Sequence, residues 1–117
     1  MELTEIAKSK INLSLNLNGI KNDGYHDLIS FICFGSFSDQ LRLKPSKSFS
    51  YKINSSIKDI TFKDDLVLKV IHKIKKTYDL EDLPKIDLIL EKNIPLGSGL
   101  GGGSADAAAT IRLMNKF

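Results

Sequence analysis

A glycine-dense segment near the end of the chain most constrains what this sequence can fold into. Five of the eight glycines lie within residues 95–109, at positions 97, 99, 101, 102 and 103. With so few side chains the segment cannot build a hydrophobic core, but its bare backbone can turn with positive φ and lets a ligand approach closely. We therefore predict a binding loop here.

The residues that follow the glycines predict a helix over 104–116. Ser104 is a good N-cap, Asp106 suits the first turn, and three alanines follow, the strongest helix formers. A glycine loop that opens into a helix N-terminus directs free N–H groups and the positive end of the helix dipole at a ligand. The segment therefore indicates a phosphate-binding loop.

The composition is that of one soluble globular domain. The chain has 117 residues, of which 42% are hydrophobic and 26% charged. The net charge of +3 is consistent with an anionic ligand, but the lysines are scattered and no basic stripe with interleaved aromatics favours nucleic acid. The lone Cys33 excludes an internal disulfide and is predicted to be buried. No signal peptide or membrane span is visible, so we expect a cytoplasmic protein that binds no membrane.

The first half of the chain predicts antiparallel strands. Over residues 10–18 the apolar side chains alternate with polar ones, which predicts a strand with one buried face and with Lys10 and Asn12 together on its polar face. A more buried strand is predicted over 28–37, paired through the 18–27 loop. Two short alternating segments follow, around residues 41–43 and 49–53.

The second half alternates helix and strand. Apolar residues recur at helical spacing from Leu66 to Tyr78, Asp64 or Asp65 is the expected N-cap, and His72 falls on the polar face. A buried strand over 86–90 then leads into the glycine segment. The predicted fold class is α+β, a mostly antiparallel sheet packed against helices.

Two familiar nucleotide motifs fit the glycine segment poorly. Residues 97–102 satisfy G-x-G-x-x-G, the dinucleotide fingerprint, but the strands upstream are not a βαβ unit and the chain ends before the required acidic residue. A Walker A loop needs a lysine where Gly103 stands. A plain linker is disfavoured because the segment runs straight into a capped helix.

Three stretches together resemble the GHMP kinases, a family of small-molecule kinases. Residues 95–108 resemble its central ATP-binding motif, and residues 8–13 resemble its N-terminal substrate motif. Residues 22–26, Asn-Asp-Gly-Tyr-His, resemble a segment of those members that act on a cytidine-diphosphate-linked methylerythritol. The resemblance runs from about Ala7 to the last residue.

The resemblance implies a phosphotransferase. The expected reaction transfers the γ-phosphate of ATP, with Mg²⁺, to the 2-hydroxyl of the cytidine-diphosphate substrate in the non-mevalonate isoprenoid pathway. Two alternatives stay open: another GHMP small-molecule kinase, and a nucleotide-binding remnant without catalysis.

The resemblance also assigns site residues. Lys10 matches the catalytic lysine that neutralises charge near the attacking hydroxyl, and Asn12 matches a substrate contact. Tyr25 and His26 match the residues that hold the cytosine. The matches for ATP binding are Asp65, Pro95, Leu96, Gly97, Ser98, Gly99, Leu100, Gly101, Gly102, Gly103, Ser104 and Ala105.

Some of these positions depart from the family pattern. Asp65 stands where an asparagine near the adenine is usual, and an ionised carboxylate only accepts hydrogen bonds whereas an amide also donates. Ser98 replaces a common glycine. Ser104 is the match for a magnesium ligand.

The resemblance further implies that residues 1–117 are an incomplete GHMP-kinase N-terminal domain. The aspartate that accepts the hydroxyl proton, and the C-terminal domain, are expected beyond Phe117. Because phosphoryl transfer depends on positioning and charge stabilisation, we expect the chain to be inactive alone, or to act with a separate C-terminal fragment.

Overall fold

The computed structural model describes residues 1–20, 26–55, 65–95 and 100–117, and for residues 14–20 and 26–30 it describes the backbone alone. Four strands and two helices follow one another along these ranges. They are β1 Leu3–Ile20, β2 His26–Pro45, β3 Ser50–Ser55, α1 Leu66–Thr77, β4 Ile86–Lys92 and α2 Gly102–Lys116.

The strands form one sheet in the order β1-β2-β4-β3. The β1–β2 and β2–β4 pairs are antiparallel and the β3–β4 pair is parallel, which confirms the predicted mostly antiparallel sheet. One prediction is wrong: residues 41–43 are not a separate short strand, because they continue β2 as far as Pro45. In this sheet order, β4 leads into the glycine segment and lies between β2 and β3.

The long β1–β2 hairpin is more exposed than its sequence predicts. Leu13 is 68% exposed and Phe31 is 69% exposed, and Ile11 and Phe34 are also exposed. Cys33 is exposed as well, so its predicted burial is wrong. The reason lies in the pairing: β4 bonds to β2 only over residues 40–45, so in the described part of the chain the outer half of the hairpin is a two-stranded ribbon.

The core lies where the four-stranded part of the sheet meets the helices. Its buried members come from β1, β2, β4, α1 and α2, and they are Ala7, Leu41, Leu43, Val67, Ile71, Ile86, Leu88, Leu90, Ala109 and Leu113. The end of α2 is tied to β1, because Glu5 accepts hydrogen bonds from Lys116 Nζ at 2.6 Å and from Arg112 Nε at 3.0 Å. The C-terminal part of the helix that follows the glycines is therefore attached to β1.

The helix starts agree with the sequence in one case and differ in the other. Asp65 caps α1, since its Oδ1 accepts from the amides of Val67 at 2.9 Å and Leu68 at 3.3 Å. Ser104 does not cap α2, which begins two residues earlier with Gly101 as N-cap. Gly101 has φ 71°, a left-handed conformation that glycine adopts without a Cβ penalty. None of the described helices is long and apolar enough to cross a membrane.

Candidate functional site

The start of α2 offers a set of backbone donors, two of which come from glycines. The amide of Ala105 donates to Gly101 O at 3.0 Å, the first hydrogen bond of the helical ladder. The amides of residues 102–104 precede that bond, and such N–H groups at a helix start are available to an anion. Gly102 is buried, whereas Ser104 is exposed in the first turn.

Lys10 lies directly beside this helix start. Its amide donates to Leu100 O at 2.7 Å, a contact between β1 and the end of the glycine segment. A Cβ built on Gly101 would lie 3.4 Å from Lys10 Cβ and 3.6 Å from Lys10 Cε. The structure therefore brings together two stretches that are about 90 residues apart in the sequence and that were both predicted as site residues.

Asn12 follows Lys10 on the same face of β1. Lys10 pairs with Phe34 and Asn12 with Ile32, without a register shift between them, so the two polar side chains project on one side as predicted. Both are exposed. His26 begins β2 opposite Ile20, and its backbone alone is described. Tyr25 lies outside the described residues.

The side chain of Asp65 is held by its two hydrogen bonds to the start of α1, and its charge also acts on a neighbouring tyrosine. Burial, followed by the Asp65 carboxylate, raises the pKa of Tyr51 on β3. Of the remaining predicted ATP-binding residues, Pro95 is exposed and Leu100 is half-buried, and residues 96–99 lie outside the described ranges. Within the described ranges, His, Cys, Asp and Glu side chains form no group of three placed to hold a metal ion.

A buried ionic cluster lies behind the glycine segment. Lys92 Nζ donates to Asp39 Oδ2 at 2.7 Å and to Asp106 Oδ2 at 2.8 Å. The exposed fractions of the three residues are 2%, 0% and 3%. The cluster joins β2, β4 and α2, the strand before the glycines and the helix after them.

The two carboxyl groups of the cluster differ in their proton affinity. Burial, reinforced by the neighbouring Asp39, raises the pKa of Asp106 to about 8. Burial also acts on Asp39, but hydrogen bonds from Asp106, from Lys92 and from two backbone amides outweigh it and lower the pKa of Asp39. Lys92 loses proton affinity through burial and regains more from its two carboxyl partners, so its pKa is raised. Asp39 is therefore the anionic partner of Lys92.

This cluster was not predicted from the sequence, although the residue pattern contained a signal. Lys92 continues the alternation of the buried Ile86, Leu88 and Leu90 on β4, and Asp39 likewise precedes the buried Leu41 and Leu43 at steps of two. Asp106 lies three and seven residues before Ala109 and Leu113 on the inner face of α2. Charged residues that fall on apolar faces predict a buried ionic partner.

Known proteins resemble the chain in both sequence and structure. Residues 65–117 match the family described as GHMP kinases N terminal domain. The chain is 40% identical over 109 residues to a 4-diphosphocytidyl-2-C-methyl-D-erythritol kinase of Francisella tularensis subsp. tularensis (strain WY96-3418), covering 93% of this chain and 39% of the relative. By this similarity, residues 65–117 correspond to the N-terminal domain of a GHMP kinase.

A second relative and two solved structures agree with that assignment. The kinase of the same name from Prochlorococcus marinus (strain NATL2A) is 40% identical over 112 residues, which is 95% of this chain and 35% of the relative. A crystal structure of 4-(cytidine 5'-diphospho)-2C-methyl-D-erythritol kinase superposes with TM-score 0.77 and 27% identity, covering 97% of this chain and 40% of that one. Homoserine kinase from Cytophaga hutchinsonii shares the fold, with TM-score 0.60 and 18% identity over 98% of this chain and 35% of that one.

The chain is shorter than the relatives it matches. It spans between 35% and 39% of the length of these two curated kinases. The glycine segment and the start of α2 fall inside the part that matches the GHMP kinase family, whereas Lys10 lies outside that match.

Proposed function

We propose that this GHMP kinase domain forms the ATP side, and part of the substrate side, of a kinase acting on 4-diphosphocytidyl-2-C-methyl-D-erythritol. The reaction transfers the γ-phosphate of ATP to the 2-hydroxyl of that substrate, a step of non-mevalonate isoprenoid synthesis. The observation that carries the proposal is the contact between Lys10 and the end of the glycine segment, 2.7 Å from the Lys10 amide to Leu100 O. The names of the relatives support the choice of substrate.

In this proposal the phosphates of ATP lie against the amides at the start of α2. Residues 95–105 hold the nucleotide, and glycine at 101–103 keeps Cβ atoms out of the approach. Lys10 neutralises charge near the attacking hydroxyl, and Asn12, on the same face of β1, contacts the substrate. Kinases of this kind work by positioning and charge stabilisation, which this arrangement supplies.

The remaining roles follow the family resemblance. Tyr25 and His26 hold the cytosine, the first by stacking and the second through polar groups of its ring and backbone. Asp65 lies near the adenine. Mg²⁺ binds mainly through phosphate oxygens and keeps few protein ligands, so the exposed hydroxyl of Ser104 suffices as the contribution of this chain.

The proton acceptor for the substrate hydroxyl comes from outside these 117 residues in our proposal. Three described carboxylates are already engaged: Asp65 caps α1, while Asp39 and Asp106 are buried against Lys92. We therefore propose that residues 1–117 act with a second, C-terminal domain. We expect the chain alone to bind ATP and to transfer phosphate at the background rate.

Isothermal titration of the purified chain tests the proposal. With Mg²⁺ present we expect saturable binding of ATP and no binding of NAD, which the alternative G-x-G-x-x-G interpretation requires. Separately, we expect binding of 4-diphosphocytidyl-2-C-methyl-D-erythritol and none of homoserine or mevalonate. Lys10→Met is expected to weaken substrate binding at least fivefold, because the substrate phosphates and hydroxyl lose a positive charge. Lys52→Met, which removes an exposed lysine on β3, is the matched control.

The outcomes separate the candidate functions. ATP binding without binding of any kinase substrate would favour the nucleotide-binding remnant. Binding of a different hydroxyl substrate would assign another GHMP kinase. Phosphoryl transfer by the chain alone, measured as ADP release above the rate of a Lys10→Met sample, would contradict the proposed need for a second domain.

A further inference from the structure

The buried ionic cluster touches both flanks of the glycine segment. Lys92 ends β4, three residues before Pro95, and Asp106 lies in α2, four residues after Gly102. The Lys92 ammonium bonds to Asp106 at 2.8 Å. A single hydrogen bond therefore connects the chain entering the segment to the helix leaving it.

Asp39 fixes the entering chain in a second way. Its Oδ1 accepts from the amides of Asn93 at 2.6 Å and Ile94 at 2.7 Å, while its Oδ2 accepts from Lys92. Asn93 Nδ2 donates to Ser38 O at 3.1 Å. One buried carboxylate thus holds three consecutive residues just before the glycine segment.

The two flanks also pack against each other at Gly102. A Cβ at this position would lie 2.9 Å from Ile94 Cγ2 and 3.1 Å from Lys92 Nζ, closer than side chains tolerate. Gly102 contributes one of the amides at the start of α2. The position of that amide therefore depends on where Lys92 and Ile94 are held.

We propose that Asp39, Lys92 and Asp106 are positioning residues that hold the two flanks of the glycine segment at a fixed separation and so preform its phosphate site. That the ligand is a nucleotide rests on the function proposed above. The clamp, by which we mean the hydrogen bonds of Lys92 to Asp39 and Asp106, rests on the contacts just described. Amides that are already in position bind a triphosphate without the entropy cost of ordering a loop. Loss of the hydrogen bonds within the clamp is therefore expected to weaken phosphate binding.

The three residues contribute unequally. Two carboxylates that share one ammonium in a buried site do not both ionise readily, and Asp39 has more hydrogen bonds to its charged form. A neutral group suffices at position 106, provided that it accepts a hydrogen bond from Lys92. Asp106→Asn retains such an acceptor, whereas Asp106→Ala removes the link and leaves the Lys92–Asp39 pair balanced.

The test compares these two variants at one site. We expect Asp106→Ala to lose ATP affinity at least tenfold while its affinity for adenosine, which has no phosphate, changes less than twofold. Asp106→Asn is expected to stay within threefold of the unmodified chain for both ligands. Glu91→Gln is the neighbouring control, because it disturbs the half-exposed Arg42–Glu91 pair between β2 and β4. It is expected to leave the affinities for both ATP and adenosine unchanged.

Amide hydrogen exchange without nucleotide supplies the second measurement. Asp106→Ala is expected to speed exchange at least tenfold at the amide of Ala105, which donates to Gly101 O, and at the amide of Ile94, which donates to Asp39, with circular dichroism unchanged. Should this variant fail to fold, the double variant Lys92→Met with Asp39→Asn, which leaves no buried charge unpaired, takes its place with the same expectations.

The results distinguish the clamp from the function. Unchanged exchange and unchanged ATP affinity in a folded Asp106→Ala chain would overturn the clamp, and so would equal losses in Asp106→Ala and Asp106→Asn. If the unmodified chain binds no ATP, the proposed function fails. In that case the clamp is still supported if amide exchange is faster in Asp106→Ala than in the unmodified chain.

Discussion

At the scale of single residues, Gly101 carries the most specific conformational demand in the described chain. It is the N-cap of α2, with φ 71°, and it lies against Lys10. A residue with a Cβ pays a steric penalty in this left-handed conformation. A substitution at Gly101 would therefore introduce strain at the point where the glycine segment, β1 and α2 meet.

Gly101→Ala is expected to lower the free energy of unfolding by about 1–2 kcal/mol, because alanine is strained at this φ. Urea denaturation followed by circular dichroism measures the change. Gly103→Ala is the matched control: residue 103 is helical, and its added Cβ would lie 3.4 Å from Leu66 Cδ1.

We expect the control to be unchanged or about 0.5–1 kcal/mol more stable, since alanine has the higher helix propensity. Equal losses in the two variants would show that general crowding, rather than the left-handed backbone, sets the cost at Gly101.

At the scale of elements, α1 depends on its N-cap. Asp65 accepts two amide hydrogen bonds at the helix start, and the first turn contains no other acidic residue. Asp65→Ala is expected to cost about 1 kcal/mol of unfolding free energy, whereas Asp65→Asn keeps the cap and costs little. Thermal denaturation of both variants checks this difference, and a similar loss for asparagine would contradict a capping role.

Elements were also the level at which the sequence was most informative. Helical spacing from Leu66 and the Asp-Asp pair before it predicted α1 and its cap, because both signals are local. The start of α2 was misplaced, since Ser104 is a good cap by type and the left-handed Gly101 is specified only by its contacts with β1. Burial was wrongly predicted for the described apolar residues of the outer hairpin, such as Leu13 and Phe31, for a similar reason: alternation shows that residues share a face, not whether another layer covers that face.

At the scale of the whole molecule, the buried cluster couples stability to pH. The pKa of Asp106 is about 8 in the folded protein, against an ordinary value of 3.8. The folded state therefore binds this proton more tightly than the unfolded state, so the stability it provides is lost as the pH rises from about 5 through 8. The slope from one such group is at most about 1.4 kcal/mol per pH unit.

The other titrating groups around the cluster act outside this interval. The pKa of Asp39 is lowered, so Asp39 makes stability change with pH only below its ordinary value of 3.8. The pKa values of Lys92 and Tyr51 are raised, so these two groups make stability change with pH only above 10. Urea denaturation between pH 5 and 8 is expected to show a shallower decline for Asp106→Asn than for the unmodified chain. Parallel profiles would mean that Asp106 is already ionised in the folded state at pH 5.

The candidate site was only partly predictable from the sequence. Glycine content and the helix signal after it indicated a phosphate loop, and alternation put Lys10 and Asn12 on one face. The contact between Lys10 and Leu100, like the Lys92 cluster, joins residues far apart in the chain. Such pairings depend on the sheet order, which local patterns do not specify.

Under the proposed function, the unequal support of the two parts of β2 places substrate recognition and phosphate recognition on differently supported parts of the sheet. Residues 40–45 of β2 are bonded on both sides, whereas its first residues pair with β1 alone. Mutations in that outer ribbon disturb few buried contacts, because its described side chains are largely exposed. If the hairpin holds the substrate as we propose, changes in the ribbon would alter substrate choice while the glycine segment stays as it is, and the hairpin is the place to begin redesigning specificity.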